Sequence, residues 1–405
     1  MKVRFLHSGD THLGCFPNRI ETRFDDFFNV FKNMITYGIN NKIELLLISG
    51  DLFHLKSINS RTLLNTIECL EMAKAAKMEV IVIEGNHDRA FLVDGDSWLH
   101  FLNEQGYIKL LGEPIVDGQL VLNPYEEKSG SVIENDKYRV IGVSYLGGMT
   151  EKYIKSLNKL IKKTDQFTIL MLHAAIDRLQ GQEMGDVKSE VILGLKDVVD
   201  YIALGHIHVK YEIEDLCYNP GSLENIRLRD GRRSEEKGFY DIIVNDDNTK
   251  EVNYIKSEPR KVHYQALDIT EAIKPQDVKK MVQNLKLDME PNEMMELTVF
   301  GKPNFNPYLI ELNEIEVYLK EKYHLLYIEV KTAFSIFDQE DGENEVVDTQ
   351  AIVRNLIEKK LEYNYPDTKD IKAVAKTMIR VSEMINDNLD EDTIIDTLYK
   401  PEVKL

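Results

Sequence analysis

Cysteine is scarce in this chain. The three present, Cys15, Cys69 and Cys217, are odd in number and far apart, which excludes a disulfide framework and any CxxC-spaced zinc or redox motif. They read as reduced thiols. Long apolar runs are also missing: no stretch approaches the roughly 18 uncharged apolar residues that a membrane span needs. The N-terminal MKVRFLHS runs straight into a strand-like pattern without a signal-peptide profile, so a cytoplasmic protein with no membrane segment is expected. Positive charge is outnumbered, with 50 Lys+Arg against 69 Asp+Glu and a net charge of -19. That balance argues against coating nucleic acid through a global field and leaves local contact open. No internal repeat or low-complexity tract is present.

What the chain does have is length. Its 405 residues, 43% hydrophobic and 29% charged, suit two or three globular units with a sizeable core. The charge is uneven: residues before 263 carry 33 Lys+Arg and 40 Asp+Glu, those from 263 onward 17 and 29. A phosphate-binding surface is therefore expected in the first part.

Residues 3–8, 44–49 and 79–84 are short apolar runs that read as buried strands, and residues 20–38 and 58–76 between them have helical spacing. This strand-helix alternation predicts an α/β fold whose first sheet is at least partly parallel. Further strands are expected from 119, 138, 167, 200 and 239, enough for two packed sheets. From 263 to 336 the pattern becomes a βαβαβ module, with helices at 276–287 and 307–322. The acidic, turn-rich stretch 337–348 reads as a linker. Residues 349–405 show three helical segments, the second carrying Ile371, Val374, Met378 and Ile385.

The chemistry-bearing residues sit where strands end. SGDTH follows the first strand, SGDLFH the second and EGNHD the third, while LHAA at 172–175 and LGHIH at 204–208 close two later ones. Each Asp or Asn thus lies beyond a strand's carboxyl end, where loops of an α/β sheet face one crevice. Six of the ten histidines, His12, His54, His87, His173, His206 and His208, fall in these loops. A single Asp-x-His or Gly-Asp is commonly a turn or helix cap, but the ordered series at successive strand ends points to a metal site. Imidazole with carboxylate suits borderline divalent ions such as manganese, iron or zinc, and a pair of them suits phosphoester hydrolysis.

Asp-x-His, Gly-Asp, Gly-Asn-His-Asp, a single His and Gly-His-x-His, in this order over residues 1–262, resemble the calcineurin-like metallophosphoesterase superfamily. The resemblance implies a four-layer α/β/β/α sandwich. By position, Asp10, His12 and His208 would hold one ion, Asn86, His173 and His206 the other, and Asp51 would bridge them. His87 would donate to the phosphoryl or leaving oxygen, its protonation state fixed by Asp88 or another carboxylate.

Within that superfamily, RFLHSGDTHLG, GDLFH and the NPGSLE segment at 219–224 are similar to the SbcD-type DNA double-strand-break repair nucleases. That similarity implies a manganese-dependent 3'-to-5' exonuclease and single-strand endonuclease, in which His54 helps to orient the DNA backbone. It also implies a small α+β capping domain over the groove, a homodimer, and a C-terminal helical region that docks an SMC-like coiled-coil ATPase of the SbcC type. Amphipathic helices can equally pack on their own domain. Arg227, Arg229, Arg232 and Arg233 follow the Pro-Gly-Ser turn and either contact phosphates or pair with Asp230, Glu235 and Glu236. A phosphodiesterase acting on nucleotides or other small esters, and a DNA-end-binding scaffold, are the competing functions.

Overall fold

The computed structural model describes residues 1–90, 95–112, 115–116, 118–176, 187–231, 236–334 and 370–386. Arg232, Arg233, the acidic stretch 337–348 and the flanking helical expectations at 349–369 and 387–405 lie outside the described residues. The chain divides into two units, Met1–Ser335 and Ile336–Leu405.

Two six-stranded sheets form the first unit. One runs, edge to edge, Lys250–Lys256, Gly238–Val244, Val3–Ser8, Leu45–Ile48, Glu79–Ile83 and Lys109–Leu111. The other runs Tyr211–Ile213, Cys217–Asn219, Tyr201–Gly205, Phe167–His173, Tyr138–Val143 and Val132–Glu134. Most inner strands pair in parallel; antiparallel strands close both edges of the second sheet and one edge of the first, whose other edge, Lys109–Leu111, is parallel.

Side-chain alternation sorts the layers. Phe5, Leu45, Leu47 and Ile81 of the first sheet share a core with Phe167, Ile169, Tyr201 and Ala203 of the second. Leu6, Leu46, Ile48 and Val82 point the other way, against Phe31 and Ile35 of helix Glu21–Asn40 and Leu70 of helix Ser60–Ala75. Leu170, Leu172, Ile202 and Leu204 likewise meet Ile154 and Leu157 of helix Thr150–Leu160. The result is the expected helix, sheet, sheet, helix order. Local chemistry starts the second helix, because the Asn59 side chain accepts from Thr62 N at 2.8 Å, satisfying an otherwise orphaned donor.

Several short strands escape the periodicity, including Lys109–Leu111, Tyr211–Ile213 and Cys217–Asn219. Three residues are too few for a period of two to register.

The segment beyond Arg260 forms three parallel strands, Val262–Asp268, Met294–Gly301 and Tyr327–Phe334, with helices Pro275–Gln283 and Leu312–Tyr323 packed on them. The helix expected from 307 to 322 is interrupted: Pro307–Leu309 is a single 3-10 turn, and Ile310 is extended before the α-helix begins. Arg260 joins this module to the sandwich. Its guanidinium grips both oxygens of Asp26 at 2.6 Å and donates to the Asn292 carbonyl at 2.8 Å. Buried Arg23 completes the junction through Asp26 at 2.7 Å and Glu224 at 3.1 Å. In the second unit the described helix is Ile371–Asn386. Among the described residues no helix is long and apolar enough to cross a membrane.

Candidate metal centre

Five strand ends converge at one edge of the sandwich. Asp10 and His12 follow Val3–Ser8, Asp51 follows Leu45–Ile48, and Asn86 and His87 follow Glu79–Ile83. From the other sheet, His173 ends Phe167–His173, and His206 and His208 follow Tyr201–Gly205. Backbone pairing stitches the loops together: Asp10 N donates to Gly50 O at 3.1 Å and His12 N to Asp51 O at 3.0 Å. The two sheets meet where His206 N donates to the Asp10 carboxylate at 3.0 Å.

The seven residues expected to hold metal form two adjoining groups. Ligand atoms of Asp10, His12 and His208 lie within 4.8 Å of one another, as do those of Asp10, Asp51 and His173. His12 Nε2 and His208 Nε2 are 2.9 Å apart. On the other side His173 Nε2 and His206 Nδ1 stand 3.2 Å apart, each against Asn86 Oδ1 at 3.1 and 3.0 Å. Asp51 Oδ2 lies between the groups, 3.8 Å from His12 Nε2 and 3.5 Å from His173 Nε2.

The donor chemistry fits cations. His173 Nδ1 faces the Ser49 carbonyl at 2.8 Å and must donate to it, so in the neutral ring Nε2 carries a lone pair aimed at the lone pairs of Asn86 Oδ1. Acceptors turned on one another in a buried site need a proton or a metal ion between them. Asp10 and Asp51 are buried carboxylates, and Asp51 has two histidines, His12 and His173, at ion-pair distance. An uncompensated buried carboxylate is costly. In the metal-free chain, burial and the Asp51 charge push Asp10 up to about 7. Burial would lower His173, but Asp51 and Asp10 raise it to about 9, and His173 in turn holds Asp51 below its usual range. Burial lowers His206 to about 4 and His208 to about 3, leaving neutral imidazoles that suit ligation.

Strain accompanies the convergence. Asp10, His12, Asp51 and His206 all have positive φ, at 50°, 46°, 52° and 90°, a conformation that costs a non-glycine residue on the order of 1–3 kcal/mol. Gly85 is required by close approach: a Cβ there would sit 2.1 Å from Asp51 Oδ1.

One expectation is revised. Asp88 does not orient His87; its carboxylate accepts backbone N–H groups of Leu52, Phe53 and Gly85 at 3.2, 2.9 and 3.0 Å, pinning two loops together. His87 Nδ1 instead contacts the His54 carbonyl at 2.7 Å, which directs its Nε2 side elsewhere. The His54 ring stacks on His87, centroids 5.6 Å apart, and its Nδ1 lies 3.3 Å from His12 Nδ1. His54 is thus tied to a metal-site histidine. Tyr145 was missed in the sequence: its half-buried ring lies 5.4 Å from that of His206 and 5.9 Å from that of His173. Its place just past strand Tyr138–Val143 was the available signal.

Exposed Arg227 and Arg229 line a cavity of about 400 Å³ together with Asn18, Arg23, Tyr327 and Lys331. The charge of Arg227 reaches His54, whose pKa falls to about 4 through burial, then His87, then Arg227. Asp230 caps the backbone N–H of Arg227 at 2.8 Å.

A sandwich of this order, with histidine, aspartate and asparagine gathered at the carboxyl ends of its strands, defines the binuclear phosphoesterase class. The calcineurin-like phosphoesterase profile matches residues 3–210, and the chain belongs to that family. Among curated proteins the chain is similar to the DNA double-strand break repair protein Mre11 of Archaeoglobus fulgidus, 28% identical over 242 residues, covering 57% of this chain and 52% of that protein. The protein of the same name from Sulfolobus acidocaldarius is 24% identical over 291 residues, covering 70% and 71%. That from Methanosarcina acetivorans is 25% identical over 328 residues, covering 79% and 49%. The matched stretch spans about half the length of the first and third of these relatives.

Proposed function

We propose that this chain is a divalent-metal-dependent nuclease that hydrolyses DNA phosphodiesters in double-strand-break repair, with manganese as its metal. The observation that carries the reading is the pair of ligand groups meeting at Asp10 and Asp51, with His87 beside them and an arginine-lined cavity whose charge reaches His54. The names of the Mre11 relatives support DNA as the substrate. Mixed imidazole and carboxylate donors support manganese over the oxygen-only preference of magnesium.

Asp10, His12 and His208 would hold one ion, Asn86, His173 and His206 the second, and Asp51 both. Two ions so bound supply Lewis acidity for the phosphoryl group and lower the pKa of water. The protein's own part is orientation. The Ser49 carbonyl fixes the His173 tautomer, and the Asp51 carboxylate accepts the His87 backbone N–H at 2.9 Å, setting that loop against the centre. With Nδ1–H donated to the His54 carbonyl, His87 would act as proton donor to the leaving oxygen through Nε2–H in its imidazolium form. Arg227 and Arg229, with Arg232 and Arg233 of the same run, contact backbone phosphates without reading sequence.

By the same reading the enzyme is a 3'-to-5' exonuclease and single-strand endonuclease. It acts in the cytoplasm as a homodimer, the 263–336 module caps the groove, and the helical region 349–405 docks an SMC-like coiled-coil ATPase. The deciding assay is purified chain with Mn²⁺ on end-labelled DNA beside Asp51→Ala and His87→Ala. Cleavage by the wild type alone is expected. Equal cutting by all three sinks the assignment. Hydrolysis of a small phosphodiester with no cutting of DNA moves the substrate to nucleotides or other small esters. Copurification with a coiled-coil ATPase, lost when residues 349–405 are deleted, is expected of the docking role.

A further inference from the structure

The loop Gly205–Val209 has to aim His206 and His208 at two different ligand groups, and it does so with His206 in a positive-φ conformation. Three successive carbonyls of this loop are held from beneath. The fully buried Asn219 amide donates to Ile207 O at 2.6 Å and to Val209 O at 2.8 Å, so both of its hydrogens are spent on either side of His208. The ammonium of buried Lys237 donates to His208 O itself at 2.7 Å. Ser222 N approaches the same oxygen at 3.4 Å. The turn is moulded to it, since a Cβ on Gly221, at φ +74°, would meet that carbonyl at 2.9 Å.

These contacts cost more than packing alone requires. Asn219 Oδ1 is buried with no hydrogen-bond partner, a loss on the order of 1–3 kcal/mol, and a lysine is kept almost wholly out of water. An apolar pair would fill the same space more cheaply. What an apolar pair could not do is fix the three carbonyls and so hold the strained loop in one conformation.

We propose that Asn219 and Lys237 are positioning residues that jointly set the aim of His206 and His208, and so the affinity and spacing of both metal ions. The proposal rests on the two-ion reading of the site. It gives the Asn-Pro-Gly-Ser segment a role inside the centre, and it assigns Lys237, at the far end of the arginine run, to the same task.

The test uses the full chain with Mn²⁺ alone, without substrate. Binding is measured by calorimetry, and the electron paramagnetic resonance spectrum reports whether two bound ions are exchange-coupled. Asn219→Leu and Lys237→Met are expected to weaken Mn²⁺ binding by about 10- to 100-fold and to replace the coupled spectrum with that of separate ions. Lys237→Arg, which keeps a charged donor, is expected to restore much of both. Wild-type affinity and coupling in Asn219→Leu and Lys237→Met overturn the proposal. So does Lys237→Arg behaving no better than Lys237→Met, which would make the position a matter of packing. If Asn219→Leu fails to fold, the Lys237 pair interrogates the same carbonyl. A wild-type chain that binds no pair of ions removes the two-ion reading itself, an outcome distinct from a wild type that binds two while every variant does the same.

Discussion

The metal edge of the sandwich and the three-stranded module at 262–334 are built from the same alternation of parallel strands and helices, yet their strand ends differ. At the metal edge, four side chains that face the centre have positive φ, and carboxylates are buried beside imidazoles. In the module positive φ is confined to Asn292, Gly301 and His324, in a turn, at a strand end and at a helix end. Its charges pair partly at the surface, as Lys279 does with Glu314, and its buried carboxylates Glu293 and Glu296 each have a lysine partner, Lys261 and Lys331. Strain and buried charge persist only where the surroundings over-determine them. The metal edge has that support in cross-loop hydrogen bonds, whereas the module relies on one apolar face.

The sharpest break in this comparison is expected at the shared carboxylate. Asp51→Ala should abolish Mn²⁺ binding and reduce hydrolysis to background, as calorimetry and a DNA cleavage assay would read. His87→Ala should lower turnover by about 10²–10⁴-fold at unchanged Mn²⁺ affinity; a parallel loss of metal would show that His87 supports the ligands instead.

Next in size is the seam between the regions. Arg260→Ala leaves Asp26 with Arg23 as its remaining cation and the Asn292 carbonyl without its donor, and breaking such a network costs about 3 kcal/mol, detectable as a lower urea midpoint. A shift below a few tenths would mean the seam contributes little.

His7 offers a pH test remote from the module. It is buried, with Nδ1 against Tyr201 Oη at 2.9 Å and Nε2 against Leu204 O at 3.1 Å, and burial lowers its pKa to about 3. The unfolded chain takes up this proton near 6.5 and the folded chain only near 3, so the unfolded state binds more protons in between. The His7 contribution is therefore fully present above about 6.5. It is lost as pH falls toward 3, at about 1.4 kcal/mol per pH unit. His7→Gln should flatten that part of the stability-pH curve, and an unchanged slope would exclude His7 as its source.

The smallest effect belongs to the cavity between the regions. Arg227→Ala and Arg229→Ala should each weaken DNA binding a few-fold and reduce the salt slope by about 1, with hydrolysis of a small ester unaffected. Equal loss on both substrates would place these side chains in the chemistry.

Much of the site was legible in sequence because each ligand is local to a strand end. Asp10, Asp51 and Asn86 follow short Leu-rich or β-branched runs that read as buried strands, and crossover geometry brings such ends to one edge. The same locality explains what was missed. The family resemblance offered Asp88, or another carboxylate, as a partner for His87, whereas the Asp88 carboxylate reaches back to the amides of Leu52 and Phe53. The break at Ile310 and the three-residue edge strands lay below the resolution of any periodicity.

By itself the sequence determined the α/β order, the two sheets and which candidate metal ligands stand at strand ends, since burial and alternation write these into neighbouring residues. Only the tertiary structure decided how that set is aimed: His54 against His12, the Ser49 carbonyl against His173, and Asn219 and Lys237 against the carbonyls of residues 207–209. Hydrogen bonds between loops are directional and span tens of residues, and no local pattern records which carbonyl a distant amide will find.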